Sequence, residues 1–369
     1  MKNKTKNILT ALAFCAVSGG LLAFNAYAVP NIATLTQTKP VARQSYAASA
    51  TQEKPAVTLA SSKVPVLNVE GKVPVSTVKD ELERTMTADE MQQIYNYIDN
   101  SKDPFLTANR EMSDREIMRR QAAEDRYFYD GVRPQNRLPL KPGNSSFYFD
   151  MSKDIWTYPD RELTDEELLQ FVDWFARVNF ALSKRIQVQQ PDAKDIGKEE
   201  AMARAHESVG KLFDADISKM EASAAFNKLG PGQEGRWLVH YQPYKVGTLK
   251  AGGNAFMMYD VMIDALSGTV IDTTIFNSAY QRTPITPAMN KQIRQDPSWI
   301  EAAKTVVVKK QGETRAIQKS TFIQDQVYDQ RGVVAVSIEL KDGSSYTVEM
   351  RYPEKTLRCL LYEPAARGK

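Results

Sequence analysis

The residues able to do chemistry are few apart from the carboxylates: two histidines, two cysteines and 45 acids. His206-Glu207 begins like the helix of a zinc peptidase, but that motif needs a second histidine at residue 210, which is Gly210. His240 is the other histidine and falls on a predicted strand. A noncanonical set of His206, His240 and a carboxylate is the metal reading that is left, beside the plainer one of satisfied or solvent-facing histidines. Asp260, Asp264 and Asp272 bracket a hairpin, but their spacing is not that of a calcium loop, so surface and turn roles are expected. No Gly-x-Ser-x-Gly elbow is present, and two histidines leave few arrangements for a nucleophilic triad. In "GTLKAGGN", Gly253 and Asn254 stand where a phosphate loop carries Lys and Ser/Thr. A Glu/Asp pair of the glycosidase kind is hardest to exclude, because the acids are many and the chain does not reveal their separation. No cofactor motif emerges.

The amino terminus reads as an address. Lys2, Lys4 and Lys6 precede an apolar run from Ile8 to Phe24, and Ala26-Tyr27-Ala28 places small residues where a signal peptidase reads. A signal peptide over 1–28 with cleavage after Ala28 is expected, hence export to the periplasm or beyond. No later stretch has the length and apolarity of a membrane span. The full chain carries 48 Lys plus Arg, but three of those lysines belong to the signal, leaving 45 against 45 acids. A neutral mature chain argues against a uniform field for nucleic acid. Cys15 leaves with the signal. Cys359, alternating with Leu357 and Leu361 in "TLRCLLYEP", is then alone, and reads as a small buried hydrophobe.

Residues 29–75 form an Ala/Thr/Pro-rich leader with prolines at 40, 55, 65 and 74. A helical and turn-rich region is expected over 76–160, with starts at Thr87-Ala88-Asp89-Glu90 and Ser113-Asp114-Arg115-Glu116. The strongest start, Thr164-Asp165-Glu166-Glu167, opens a helix with Leu168, Phe171, Val172, Phe175 and Val178 on one face, widened by Trp174. Phe147, Phe149 and the tryptophan of "DIWTYPDRE" are expected to cover that face.

A helix-hairpin unit follows within an α+β region over 161–285. Ala201, Ala205, Val209 and Leu212 share a helical face. Three strands are expected, from "RWLVHYQPY", from "FMMYDVMI" and after the turn at Thr269–Thr273, and the helix covers one face of that antiparallel meander. Asp264 is positioned to accept N–H bonds within Ala265-Leu266-Ser267, and Gly268 to take positive φ. The insertion "QPYKVGTLKAGGNA" between two strands has too little apolar content for a core. It is read as a projecting, mobile loop, with Tyr244, Lys245, Lys250, Gly252 and Gly253 as a candidate contact surface.

The helix opened by Ile196-x-x-x-Glu200-Ala201 and the strand ending in "MIDALSGTVI" resemble PepSY-type domains of secreted bacterial proteins, over roughly residues 196–273. That resemblance implies peptidase inhibition or regulation and envelope roles, without a catalytic constellation, and aligns Asp264 and Gly268 with the closing turn. The long insertion departs from the pattern. Residues 286–369 read as a second α+β region, with "DPSWIEAAKTVVVKK" passing from helix to strand and antiparallel strands around Lys341-Asp342-Gly343-Ser344. The expected fold is therefore α+β, helices on antiparallel sheets. The expected function is a noncatalytic binding or regulatory protein of the envelope whose partner is an envelope protein or a peptidase. The alternative is a secreted carboxylate-dependent glycoside hydrolase acting on polysaccharide.

Overall fold

The computed structural model describes residues 76–365, apart from 102–104, 106, 186–188 and 229–233. The expected signal peptide and leader lie outside the described residues. The protein is α+β, with an eight-stranded antiparallel sheet and a small three-stranded sheet. It divides into two compact units, one running to Ile186 and taking in Gly247–Asn254, the other holding Gln187–Val246 and Ala255–Lys369. Among the described residues no helix is long and apolar enough to cross a membrane.

The first unit contains α1 (Ser76–Thr85), α2 (Ala88–Asn100), β1 (Thr107–Ala108), α3 (Asp114–Tyr129), β2 (Tyr148–Asp150), β3 (Ile155–Thr157) and α4 (Asp165–Arg185). All three helix starts read from the sequence form. Thr87, Ser113 and Thr164 accept the N–H groups of Glu90, Glu116 and Glu167 at 3.1, 3.1 and 3.2 Å. Glu116 and Glu167 reach back to the N–H of their caps at 2.8 Å, completing two capping boxes. Helix α4 is the centre: Leu168, Phe171, Val172, Phe175 and Val178 are buried, and α1, α2 and α3 pack against it. Trp156 of β3 covers the same face, its ring 4.9 Å from Phe171 and 5.7 Å from Phe175, with Phe149 of β2 at 4.8 Å from Trp156. Each such ring pair adds about 0.5–1.5 kcal/mol beyond its buried area.

The second unit contains α5 (Lys198–Phe213), β4 (Glu221–Lys228), β5 (Gly235–Gln242), β6 (Met257–Asp264) and β7 (Val270–Asn277); α6 (Val246–Ala251) comes between β5 and β6 in the chain, but all of it except Val246 belongs to the first unit. Then come α7 (Pro287–Gln295), α8 (Ser298–Thr305), β8 (Ile317–Phe322), α9 (Gln326–Arg331), β9 (Val333–Leu340), β10 (Ser345–Arg351) and β11 (Thr356–Glu363). The strand order is β4-β5-β6-β7-β11-β10-β9-β8. Helix α5 lays Ala201, Ala205, Val209 and Leu212 on the β4–β7 half, against Trp237, Val239, Tyr241, Tyr259, Val261 and Ile263. Val334, Val336, Ile338 and Leu340 pack with Trp299 and Val307 under the other half.

Several expectations change. The boundary placed at 161 falls at 186, because α4 buries its apolar face within the first unit. Residues 286–369 are not a separate sheet: β11 pairs with β7 through Cys359↔Thr274, Leu360↔Thr273 and Leu361↔Asp272, making one sheet. Val306-Val307-Val308 is not a strand; α8 runs on into a π-helical turn, Val306–Lys310, that buries Val306 and Val307. Burial overrides the β-propensity of valine there. A strand beyond the three expected, β4, low in β-formers, completes the meander.

Helix α3 buries three charged side chains, Glu116, Arg120 and Asp125. Glu116, fully buried, is gripped at both oxygens by Arg110 (2.8 and 2.9 Å) and accepts the N–H groups of Ser113 and Leu163 (2.8 and 2.7 Å). Burial alone disfavours its charge, but Arg110 and the two N–H groups outweigh burial and bring its pKa down to about 2. A depressed folded pKa stabilises the fold above the unfolded value near 4.5, and that contribution fades as pH falls toward about 2. Glu116→Gln should therefore lower stability at pH 7, with the gap to the parent closing between about pH 4.5 and pH 2. Urea melts across that range check this; a gap that stays constant would remove Glu116 from the acid response.

Candidate functional site

Beside its core the first unit opens a groove of about 570 Å³, walled by Glu90, Arg137, Leu138, Asp173, Trp174 and Arg177 among others. Helices α2 and α4 supply most of the wall. Asp173 lies on α4 with Arg177 four residues on, so the two share a face, and their contact is 2.8 Å. Tyr127 of α3 donates to the other Asp173 oxygen at 2.8 Å. Glu90, whose N–H caps α2 on Thr87, accepts from Arg137 at 2.8 Å and lies 3.5 Å from Arg177. Both acids and both guanidinium groups are thus engaged with one another. Burial acts first on Arg177, against its charge, but Asp173 and Glu90 more than offset it and raise its affinity for the proton. Trp174 differs: it is 4% exposed, and its indole N–H is buried without an acceptor among the described residues. Three carboxylates (Asp89, Glu90, Asp173) face two guanidinium groups around the groove, so it holds no excess of positive charge.

The second unit brings the residues suspected of catalysis onto its sheet, but not into a working constellation. His240, Asp260, Thr274, Cys359 and Glu349 occupy successive cross-strand positions from β5 to β10. His240 Nδ1 lies 2.6 Å from Asp260, and the Cys359 thiol donates to Asp272 at 3.3 Å. Cys359 is buried, as its alternation implied, and burial pushes its thiol well above the usual range, with the Asp272 and Glu349 carboxylates adding to the shift. That is the setting of an inert thiol. Burial also raises the Asp272 carboxyl. His206 is on the exposed side of α5, whereas Val239 and Tyr241, flanking His240 on β5, pack toward that helix. The sheet therefore separates the two histidines, and among the described residues no group of three His, Cys, Asp or Glu side chains is placed to hold a metal ion.

The insertion is not a projecting mobile loop. Val246–Ala251 forms α6, and Gly247–Asn254 belongs to the first unit. Gly247 sits so close to α3 that a Cβ there would collide with the Gln121 carbonyl. The Thr248 N–H donates to Asp125. Burial pushes the Lys250 amine down while Glu124 and Asp125 pull it up, so this lysine serves the interior of the first unit. Tyr244 and Lys245 are half-buried, with the Lys245 ammonium 5.6 Å from the Tyr244 ring. Of the five candidate contact residues only Gly252 and Gly253 are exposed, and their N–H groups close α6 on Thr248 and Lys250. The low apolar content of the insertion had suggested a loop, but Glu124 and Asp125 on α3 gave the segment somewhere to dock.

The turn at 264–268 forms as expected. Asp264 accepts the Ser267 N–H at 2.7 Å, its backbone carbonyl accepts the Gly268 N–H at 2.9 Å, and Gly268 has φ +70°. Arg204 of α5 closes over it, donating to the Gly268 carbonyl at 3.1 Å. A Cβ at 268 would lie 2.7 Å from the Arg204 guanidinium carbon.

The groove was missed in the sequence. Its signal was Asp173 and Arg177, two opposite charges four apart within the largely apolar middle of α4. Such a pair inside a buried helix marks a polar wall.

Two substitutions check these placements. Gly247→Ala should cost about 1–3 kcal/mol by forcing α6 off α3, whereas Gly210→Ala, at an open helical position, should gain about 0.5–1 kcal/mol. Shifts of the same sign in denaturant melts would refute the close approach at Gly247. Gly268→Val should cost about 1–2 kcal/mol and Gly268→Asn less, since asparagine tolerates positive φ. Equal losses would refute the turn geometry. No family model, curated protein or solved structure matches this chain.

Proposed function

We propose that this is an exported, noncatalytic binding protein of the bacterial cell envelope, and that the groove of the first unit is its ligand site. The carrying observation is the Trp174 indole N–H, buried in a groove wall and without an acceptor among the described residues. A buried donor left unpaired costs about 1–3 kcal/mol, so a wall that retains one is suited to a ligand that brings the acceptor. The ligand is a neutral, oxygen-rich molecule. With acids outnumbering guanidinium groups around the groove, an anion gains nothing there. Hydroxyl groups could meet Trp174 as acceptors and the carboxylates as donors.

Two sequence readings support the assignment to the envelope. The basic, apolar and small-residue order of the first 28 residues is that of an export signal. The helix packed on a meander closed by Asp264 and Gly268 is compatible with a PepSY-type unit, and regulation of a peptidase is the role that resemblance implies.

Thermal-shift titration of the full chain against neutral di- and trisaccharides tests the ligand class, with phosphate and short acidic peptides as contrasts. A neutral ligand at about 100 times its Kd should stabilise the protein by about 2.7 kcal/mol. Trp174→Phe keeps a ring but removes the donor, and should weaken binding by about 2- to 10-fold, the worth of one neutral hydrogen bond. Preference for the anionic contrasts would overturn the ligand class. Turnover of a polysaccharide, abolished by one carboxylate substitution, would overturn the noncatalytic reading and establish the hydrolase.

A further inference from the structure

An open sheet has two edges, and those of the second unit are treated differently. Strand β8 carries a register shift between Ile317 and Lys319, with Lys319 itself at the irregularity. A bulge and a lysine are the usual guards against another strand pairing there. Strand β4 has no bulge, and its one lysine, Lys228, stands at the very end of the strand. Its eight residues pair with β5 without a break from Glu221↔Gln242 to Lys228↔Gly235. Its interior, Ala222-Ser223-Ala224-Ala225-Phe226-Asn227, contains no charge and no proline.

The direction of its free groups follows from two sets of hydrogen bonds. Gly235 turns its carbonyl away from β4, accepting from Ala265 N–H at 2.9 Å. Its opposite number, Lys228, turns its own groups away from β5: its N–H donates to the Gln189 side-chain oxygen, and its carbonyl accepts from the Gln189 amide nitrogen at 3.4 Å. In an antiparallel ladder the inward and outward residues alternate. Ala222, Ala224 and Phe226 therefore present their N–H and C=O groups outward, in line with Lys228. Among the described residues nothing pairs with those three.

Gln189 already shows what the edge accepts. A carboxamide carries the donor and acceptor of a peptide group, and it occupies one rung at the end of the strand. We propose that β4 is a docking edge for an extended peptide segment of a partner protein, which adds as a ninth strand over Ala222–Phe226, beyond Gln189. Main-chain pairing supplies the affinity. The small Ala222 and Ala224 side chains leave room for β-branched or aromatic residues on the incoming strand. The site is an interaction surface for protein, and it goes beyond the small-molecule reading of the groove.

The test uses the full chain and a fluorescent peptide, Lys-Thr-Val-Thr-Val-Thr-Lys, followed by anisotropy. Control peptides of the same sequence carry an N-methyl group on every interior residue, so that neither edge of the strand keeps its N–H donors. Ala224→Pro removes one outward N–H while sparing every bond to β5, and proline is tolerated on an edge. The parent should bind the plain peptide saturably. Binding should fall at least tenfold with the N-methylated peptides and with Ala224→Pro, and should be unchanged in Trp174→Phe. That last arm separates this edge from the groove. If Ala224→Pro fails to fold, the N-methylated peptides decide the matter on the parent alone. Equal binding of plain and N-methylated peptides would overturn the proposal. So would absence of peptide binding together with self-association that Ala224→Pro abolishes, which would assign the edge to a second copy of the chain.

Discussion

A β-strand can satisfy its backbone groups only sideways, and each strand of the eight-stranded sheet depends on its neighbours for that reason. The critical joint is between β7 and β11. Only three residue pairs span it, yet they convert two four-stranded halves into one sheet and remove two interior edges. Thr273 and Leu360 are buried at the joint, and the Ser208 hydroxyl of α5 meets that of Thr273 at 2.7 Å. On the opposite face Cys359 and Asp272 hold each other across the same seam. With that seam closed, the described residues leave this sheet two edges, β4 and β8, of which only β8 carries a bulge.

The first unit obeys the complementary rule for helices, whose first-turn N–H groups lack partners within the helix. Thr87, Ser113 and Thr164 meet that need locally. The glutamate of each start then does a second task. Glu116 ties α3 to Arg110 and Leu163, Glu167 ties α4 to Arg161, and Glu90 leaves the cap's own N–H to join Arg137 and Arg177 in the groove. One sequence device, used three times, produces two structural braces and one wall of the groove.

Buried charge in this protein is mutual. Asp173 has Tyr127 and Arg177, and Glu313 has Arg315 and Tyr346, which hold its carboxyl down at about 2 although burial opposes them. Such pairing fixes geometry more surely than it adds stability, because desolvation consumes much of the attraction. Against that background an unpaired donor at Trp174 and an unpaired backbone row at β4 are among the groups with unmet bonding capacity in the described residues.

What the chain determined by itself was local. The three capped helix starts, the buried faces of α4 and α5, the alternation of Val334 to Leu340 and the Asp264–Gly268 turn each rest on contacts or periodicities spanning a few residues, and each was legible in the order of side chains. Cys359 likewise announced its burial by its neighbours. Only the tertiary structure decided which elements share a core. The boundary at 186, the seam between β7 and β11, the docking of α6 on α3 and the π-helical turn at Val306–Lys310 all depend on what a face is buried against, and propensity does not encode that. The same holds for the two candidate interaction sites. The groove needs Glu90, Arg137 and Asp173 brought together from distant stretches, and β4 becomes a strand only because β5 lies beside it: its alanines and serine pair through the backbone, where side-chain pattern leaves no signature.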